Sequence, residues 1–169
     1  MKKLILAIVI LIAGCTAASA QTETRIGSNH KVAFGTYYGY GQGRLRNYGS
    51  IFMDIYSAKT DLRTRVSIGD LERWVNPFVS VDAHYVLPLA EGFSIYPFVG
   101  VSADFRNVEE WEPNFDFAPE GGLGLEYQFS GNFGIFAEGR FQSFIQNKES
   151  RMSANIGITF AFGEGSRNK

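Results

Sequence analysis

The chain has 169 residues, with 16 Lys and Arg against 17 Asp and Glu and a single cysteine, Cys15. That balance leaves no basic footprint for nucleic acid, and one cysteine supports neither an internal disulfide nor a cysteine-ligated metal site. All 15 Phe, 8 Tyr and 2 Trp lie after residue 33 together with most of the 19 glycines, a composition that favours strands and tight turns over helices.

The first element is "MKKLILAIVILIAGCTAASAQ": two lysines, an apolar run from Leu4 to Ala13, then small residues ending in Ala18-Ser19-Ala20. The run is too short to span a bilayer as a helix, and the A-x-A pattern predicts a secretory signal peptide over residues 1–20, cleaved after Ala20. Ile12-Ala13-Gly14-Cys15 offers a competing lipobox-like reading in which Cys15 carries a lipid. Cleavage after Ala20 removes Lys2 and Lys3 and shifts the formal charge from −1 to −3. Residues 21–30 form an N-terminal segment, 31–162 a single β domain, and 163–169 a C-terminal tail.

Eight segments then keep a two-residue period, and none outside the signal keeps a helical one, which predicts an all-β fold. The uncharged faces run, in order, through Val32, Phe34, Thr36, Tyr38 and Tyr40; Ile51, Met53 and Ile55; Leu62, Thr64, Val66 and Ile68; and Val79, Val81, Ala83, Tyr85 and Leu87. They continue through Phe93, Ile95, Pro97, Val99, Val101, Ala103 and Phe105; Leu123, Leu125, Tyr127 and Phe129; Phe133, Ile135, Ala137 and Phe141; and Met152 to Phe162 in steps of two. The opposite faces collect Asp54, Arg63, Arg65, Asp82, His84, Asp104, Glu126, Glu138 and Arg140.

Alternation alone does not say which face meets water. Three features place the apolar face against lipid. The strands run to about ten residues or more, as a tilted bilayer crossing requires. Aromatic residues cluster at the ends of the apolar runs, as interfacial girdles do. Short turns ("SAKTD", "LPLAEG", "SGN") alternate with longer polar connections ("GQGRLRN", "GDLERWVNP", "NVEEWEPNFDFAP", "QNKESR"), the asymmetry expected of an outer-membrane barrel with both termini in the periplasm. The expected architecture is an eight-stranded antiparallel up-and-down transmembrane barrel. Pro97 lacks a ladder donor and is expected at a bulge or an edge.

Over the mature segment, and through "YPFVGVSADF", "PEGGLGLEYQFSGNFGIFAEGRFQ" and "NIGITFAF", the chain resembles the small eight-stranded outer-membrane barrels of OmpA/OmpX-like type, including the outer-membrane β-barrel domain proteins of Bacteroidetes-like bacteria. The resemblance implies a bacterial outer-membrane location, outer-membrane lipids, lipopolysaccharide and the barrel-assembly machinery as partners, and a structural or interaction role without an open pore. Such barrels commonly end on an aromatic residue; here "GEGSRNK" follows Phe162.

Catalytic signals are weak. Ser80, Asp82 and His84 share one strand face, but spacing of two residues stacks them in a row, and a triad is recognised by geometry. No His/Cys cluster has metal-ligand spacing, the glycines of "EGGLGLEYQFSGNFG" precede strands and not a helix, and no cofactor is expected. Inner-face glycines such as Gly122, Gly124 and Gly157 are expected to make room for long charged neighbours. Hairpin adjacency places Arg63 and Arg65 between Asp54 and Asp82, predicting an interior ionic network of those four residues. The connection 106–119, with Glu109, Glu110, Trp111, Glu112, Phe115, Asp116 and Phe117, is the candidate extracellular contact loop. Two alternative functions are a lipid-modifying outer-membrane enzyme, tested by His84, and a soluble lipocalin-like periplasmic barrel.

Overall fold

The structure, a computed structural model, describes residues 32–42, 47–57, 60–70, 77–106, 114–130 and 132–162. The expected signal peptide with Cys15, the segment 21–30 and the tail 163–169 lie outside these residues. Nine segments make one antiparallel sheet: β1 (Val32–Gly41), β2 (Asn47–Tyr56), β3 (Leu62–Gly69), β4 (Phe78–Tyr85), β5 (Leu87–Ala90), β6 (Phe93–Arg106), β7 (Asn114–Ser130), β8 (Phe133–Ser143) and β9 (Ser150–Phe162). β4 and β5 pair with β6 in the same register from Phe78 to Pro88, with a shift between Pro88 and Ala90, and form a single barrel strand interrupted at Val86. β1 pairs with both β2 and β9, so the sheet closes on itself as an eight-stranded antiparallel barrel.

The register fixes the strand tilt. Cross-strand partners followed once round the wall from Val32 pass through Ile55, Thr64, Ala83, Val99, Gly121, Phe141 and Met152. The path comes back at Gln42, which donates its amide to Met152 O, ten residues along the chain from where it started. Eight strands with that stagger lean at roughly 40° to the barrel axis.

Burial alternates as the sequence predicts: on β9 every second residue from Arg151 to Ala161 is buried and every one between is exposed. The residues read as apolar-face all point outward, where Phe34, Ile51, Val101, Leu123, Ile156 and Phe160 are exposed. The polar set points inward and is buried, with Asp54, Arg65, Asp82 and His84 each at 0 % exposure. An arrangement with charges inside and a continuous apolar exterior is stable only with a hydrocarbon solvent outside. A belt of ring contacts runs round one rim, from Tyr127 through Phe129 and Phe133 to Phe160, with Phe34 against Phe162 beside it.

Two local expectations change. "LPLAEG" is not all turn: Leu87–Ala90 pairs with β6, leaving Glu91-Gly92 as the turn, with Gly92 at φ 73° where a side chain would be strained. Pro97 is at neither a bulge nor an edge. Phe105 donates to Pro77 O on the β4 side, while Gly92 O accepts from Gln128 on the β7 side, so odd-numbered residues of β6 bond toward β4. Pro97, odd-numbered and without an N–H, therefore faces Tyr85, the residue at which β4 breaks off.

The interior is built of aromatic rings as well as charges. Tyr37, Tyr48, Phe52, Phe78, Tyr96, Phe98 and Phe136 form one buried cluster. Six of these rings lie over a glycine on the adjoining strand: Phe52 over Gly35, Tyr48 over Gly39, Phe78 over Gly69, Phe98 over Gly122, Tyr96 over Gly124 and Phe136 over Gly157. The inner-face glycines thus make room chiefly for rings and not for charged chains, because a flat ring laid along the wall fills a narrow lumen without crossing it. Gly100 and Gly134 are exceptions, the first with the Asp82 carboxylate in its place and the second facing the Thr159 methyl group.

Candidate functional site

The distinctive chemistry of the molecule is the ion-pair network that fills the lumen. Arg65, on β3, donates through Nε and Nη2 to both oxygens of Asp54 at 2.7 and 2.9 Å and reaches Glu138 Oε2 on the opposite wall at 3.3 Å. Its guanidinium lies 3.9 Å from the Phe52 ring centroid and 4.5 Å from that of Phe136. The short bidentate pair and the stacked rings stabilise a charge that would be costly to bury alone.

Arg63, two residues along the same face, donates to Glu126 Oε2 at 2.5 Å, lies 3.5 Å from Asp54 Oδ2 and makes a 3.0 Å contact with His84 Nδ1. Since arginine has only donors, that imidazole nitrogen is the acceptor. Arg140, on β8, holds three carboxylates: Glu120 at 2.8 Å, Asp82 at 2.9 Å and Glu138 at 3.0 Å. Glu138 is the hub, taking both Arg65 and Arg140 and also accepting from Tyr96 Oη at 3.2 Å and Asn155 Nδ2 at 3.0 Å. Nearer the opposite rim, Arg151 pairs with Asp104 at 3.2 Å and stacks on Phe144.

Of the four residues predicted to form one network, Asp54, Arg63 and Arg65 are in direct contact, while Asp82 joins them only through Arg140 and Glu138. It sits beside Arg65 in the register yet pairs with Arg140 across the lumen. Strand adjacency brings backbones together, whereas a long guanidinium chooses among carboxylates around the whole narrow interior. Glu120, Arg151, Gln142 and Asn155 enter the network without having been singled out as site residues; their inward parity on β7, β8 and β9 was the available signal.

The contact loop 106–119 is shorter than expected. Glu109, Glu110, Trp111 and Glu112 lie outside the described residues, whereas Phe115, Asp116 and Phe117 belong to β7, paired with Phe105, Asp104 and Ala103. The Phe-Asp-Phe alternation continues the strand period: both phenylalanines are exposed outward, and Asp116 is buried inward, accepting from the Gln146 amide at 3.1 Å and from Asn147 Nδ2 at 2.5 Å. Asp116 thus ties down the β8–β9 connection.

Ser80, Asp82 and His84 make no relay. Asp82 serves Arg140, the Ser80 hydroxyl accepts from Arg140 at 3.4 Å, and His84 is stacked against Tyr96 and Phe98 at 5.0 and 5.1 Å. Among the described residues no group of three or more His, Cys, Asp or Glu is placed to hold a metal ion.

No protein-family model matches the chain, and no curated protein matches it. Solved structures do. The N-terminal β-barrel domain of Pseudomonas aeruginosa OprF superposes with a TM-score of 0.66 at 19 % identity, over 79 % of this chain and 99 % of that one. Neisserial surface protein A gives 0.55 at 13 % identity, over 78 % and 96 %. The fold is that of the small eight-stranded outer-membrane barrels. A de novo designed transmembrane β-barrel matches comparably, with a TM-score of 0.59 at 15 % identity over 79 % and 97 % of the two chains. A likeness shared with a designed protein speaks for architecture and leaves activity to the site.

Proposed function

We propose that the protein is a non-catalytic, plugged barrel of a bacterial outer membrane, with a structural or binding role in the envelope and both termini in the periplasm. The observation that carries this reading is the lumen itself. Arg65 reaches Glu138 and Arg140 reaches Asp82 across the lumen, tying opposite walls together, and aromatic rings fill the space around them, in the place where an open pore would hold water and an enzyme would hold substrate. Its outer face is solvated by outer-membrane lipids and lipopolysaccharide, and its insertion falls to the barrel-assembly machinery. Contacts with other envelope or extracellular partners fall to the connections at the outer end, where Glu109, Glu110 and Glu112 would steer a basic surface toward Trp111.

Two measurements test this. In planar bilayers the reconstituted protein is expected to show no sustained conductance; stable porin-sized openings would overturn the plugged lumen. Lipid A from cells with and without the protein is expected to have one mass spectrum. A mass shift that disappears in His84→Ala would instead establish the lipid-modifying enzyme. A protein recovered in the soluble fraction, with no heat-dependent migration on a detergent gel, would sink the membrane reading altogether.

A further inference from the structure

The apolar exterior is not equally tall all round the barrel. At a tilt of roughly 40° each residue climbs about 2.5 Å along the axis, and each step to the next strand lifts the register partner by about 3 Å. On that scale the lower ends of the apolar faces, at Val32, Phe93, Phe129, Phe133 and Phe162, fall within about 4 Å of one level. The upper ends at Tyr40, Val79, Phe141 and Met152 agree equally well, and the band between is about 20–25 Å tall, matching the apolar band of outer-membrane barrels.

Among the described residues four apolar side chains stand above it, all on one side. Phe105 on β6, Phe115 and Phe117 on β7, and Ile145 just past β8 point outward about 5–10 Å beyond the upper rim. Phe115, Phe117 and Ile145 are 48, 55 and 64 % exposed. The ridge is a built surface: Phe105 and Phe115 meet edge to face, Ile145 donates its amide to Phe117 O at 2.9 Å, and Asp116 anchors the following residues from within. Acyl chains do not reach this height, so the ridge is left to the polar headgroup layer unless something covers it.

We propose that the cover is a second copy of this chain, packed side by side in the same membrane about a two-fold axis parallel to the barrel axis. A second copy presents the same ridge at the same height and in the same orientation, so the contact is self-complementary and closes. The area argues against a soluble partner. The ridge alone offers about 400 Å², roughly half of what each side of a stable interface buries. Below it the surface continues through Val99, Val101, Leu123 and Phe141, all exposed, interrupted on β8 by the half-buried Ser143. These bring the face to about 800 Å², but only for a partner that is itself in the bilayer. This inference concerns the outside of the barrel and does not rest on the plugged lumen, so conductance and stoichiometry fail independently.

The test uses the full chain in intact cells, with a photoreactive benzoylphenylalanine replacing Phe117 or, as a control, Ile51 on β2, the strand diametrically opposite β7. The expected result is an adduct of twice the protomer mass from position 117 alone, with peptides of this chain on both sides of the cross-link. Single-molecule bleaching of labelled protein in nanodiscs should show two steps, and one step for the variant carrying Phe115→Ser, Phe117→Ser and Ile145→Ser, with heat-dependent migration retained. If that variant does not insert, Phe117→Ser alone replaces it, and the wild-type step count still decides. One-step bleaching of the wild type would overturn the proposal, as would adducts from position 117 confined to lipopolysaccharide, to another protein or to residues 107–113 of the same chain.

Discussion

Gly122 and Gly139 lie on adjoining strands, β7 and β8, on opposite faces of one wall. A Cβ added at Gly139 would meet nothing within 4 Å; one added at Gly122 would lie 2.0 Å from the carbonyl oxygen of Gly139 and 2.6 Å from the Phe98 ring. The same residue type, one position away from cross-strand pairing, is unconstrained toward lipid and fully constrained toward the lumen. The outer face needs only to be apolar, because acyl chains adapt to any side-chain shape. The inner face is a closed packing problem in which each ring, glycine and ion pair fixes its neighbours.

The largest effect should come from the inner face at Arg140. Arg140→Met keeps much of the volume but leaves Glu120, Asp82 and Glu138 without their shared cation, and breaking a buried pair in this way costs about 3–5 kcal/mol. The fall should appear as a lower urea midpoint for loss of the heat-modifiable band in lipid vesicles. Arg140→Lys should recover only part of it, since a point charge cannot reach three carboxylates in a fixed fork. An unshifted midpoint would mean that the network fills the lumen without holding it.

Next in size is Gly122→Ala, expected to destabilise by about 1–3 kcal/mol because the obstructing atom is backbone and cannot rotate away. The same assay reads it. If Gly122→Ala were as stable as wild type, the ring-over-glycine packing would be looser than the register implies.

What the sequence made legible follows this division. Which residues face lipid could be read because period-2 alternation is decided by a strong solvent difference at each position, and every outward residue from Val32 to Phe162 fell on the expected side. Tyr96 and Phe98 share the inner face of their strand with Ser94, Ser102 and Asp104, and because aromatic residues also mark the lipid side, their place over Gly124 and Gly122 does not follow from residue type. The cue was present in the alternation of glycines at 122 and 124, but it becomes readable only once the β6–β7 register is known. The direct partner of Asp82, Arg140, is illegible for a related reason: neighbouring strands follow from hairpins, while contacts across a lumen depend on closure and stagger. Phe115-Asp116-Phe117 carries the strand period within the sequence itself, which puts Asp116 on a strand and not in a loop.

At the outer end of the lumen, Asp116→Ala should cost about 1 kcal/mol or less in global stability, because the residues it anchors are a connection and not a wall. The effect belongs to local opening. Hydrogen exchange at the Gln146 amide, the group that donates to the lost carboxylate, should accelerate, while amides in β8 keep their protection. Equal acceleration along β8 would show that the connection and the strand open together.

The smallest effects should come from the lipid face, in a matched pair with the lumen. Gly139→Ala, one strand away from Gly122, and Ile156→Leu, on an outward position of β9 that is 64 % exposed, should each change stability by no more than about 0.5 kcal/mol. Gly139→Ala adds a methyl group into open space and removes backbone freedom from the unfolded chain, so its sign should be neutral to stabilising. Ile156→Leu exchanges one aliphatic surface for another in a solvent that is itself aliphatic, with only the loss of β-branching against it. Measured in vesicles under one set of conditions, the difference between Gly122→Ala and Gly139→Ala cancels the intrinsic cost of alanine in a strand and leaves the packing of the lumen alone. A difference near zero would place both faces under the same loose constraint.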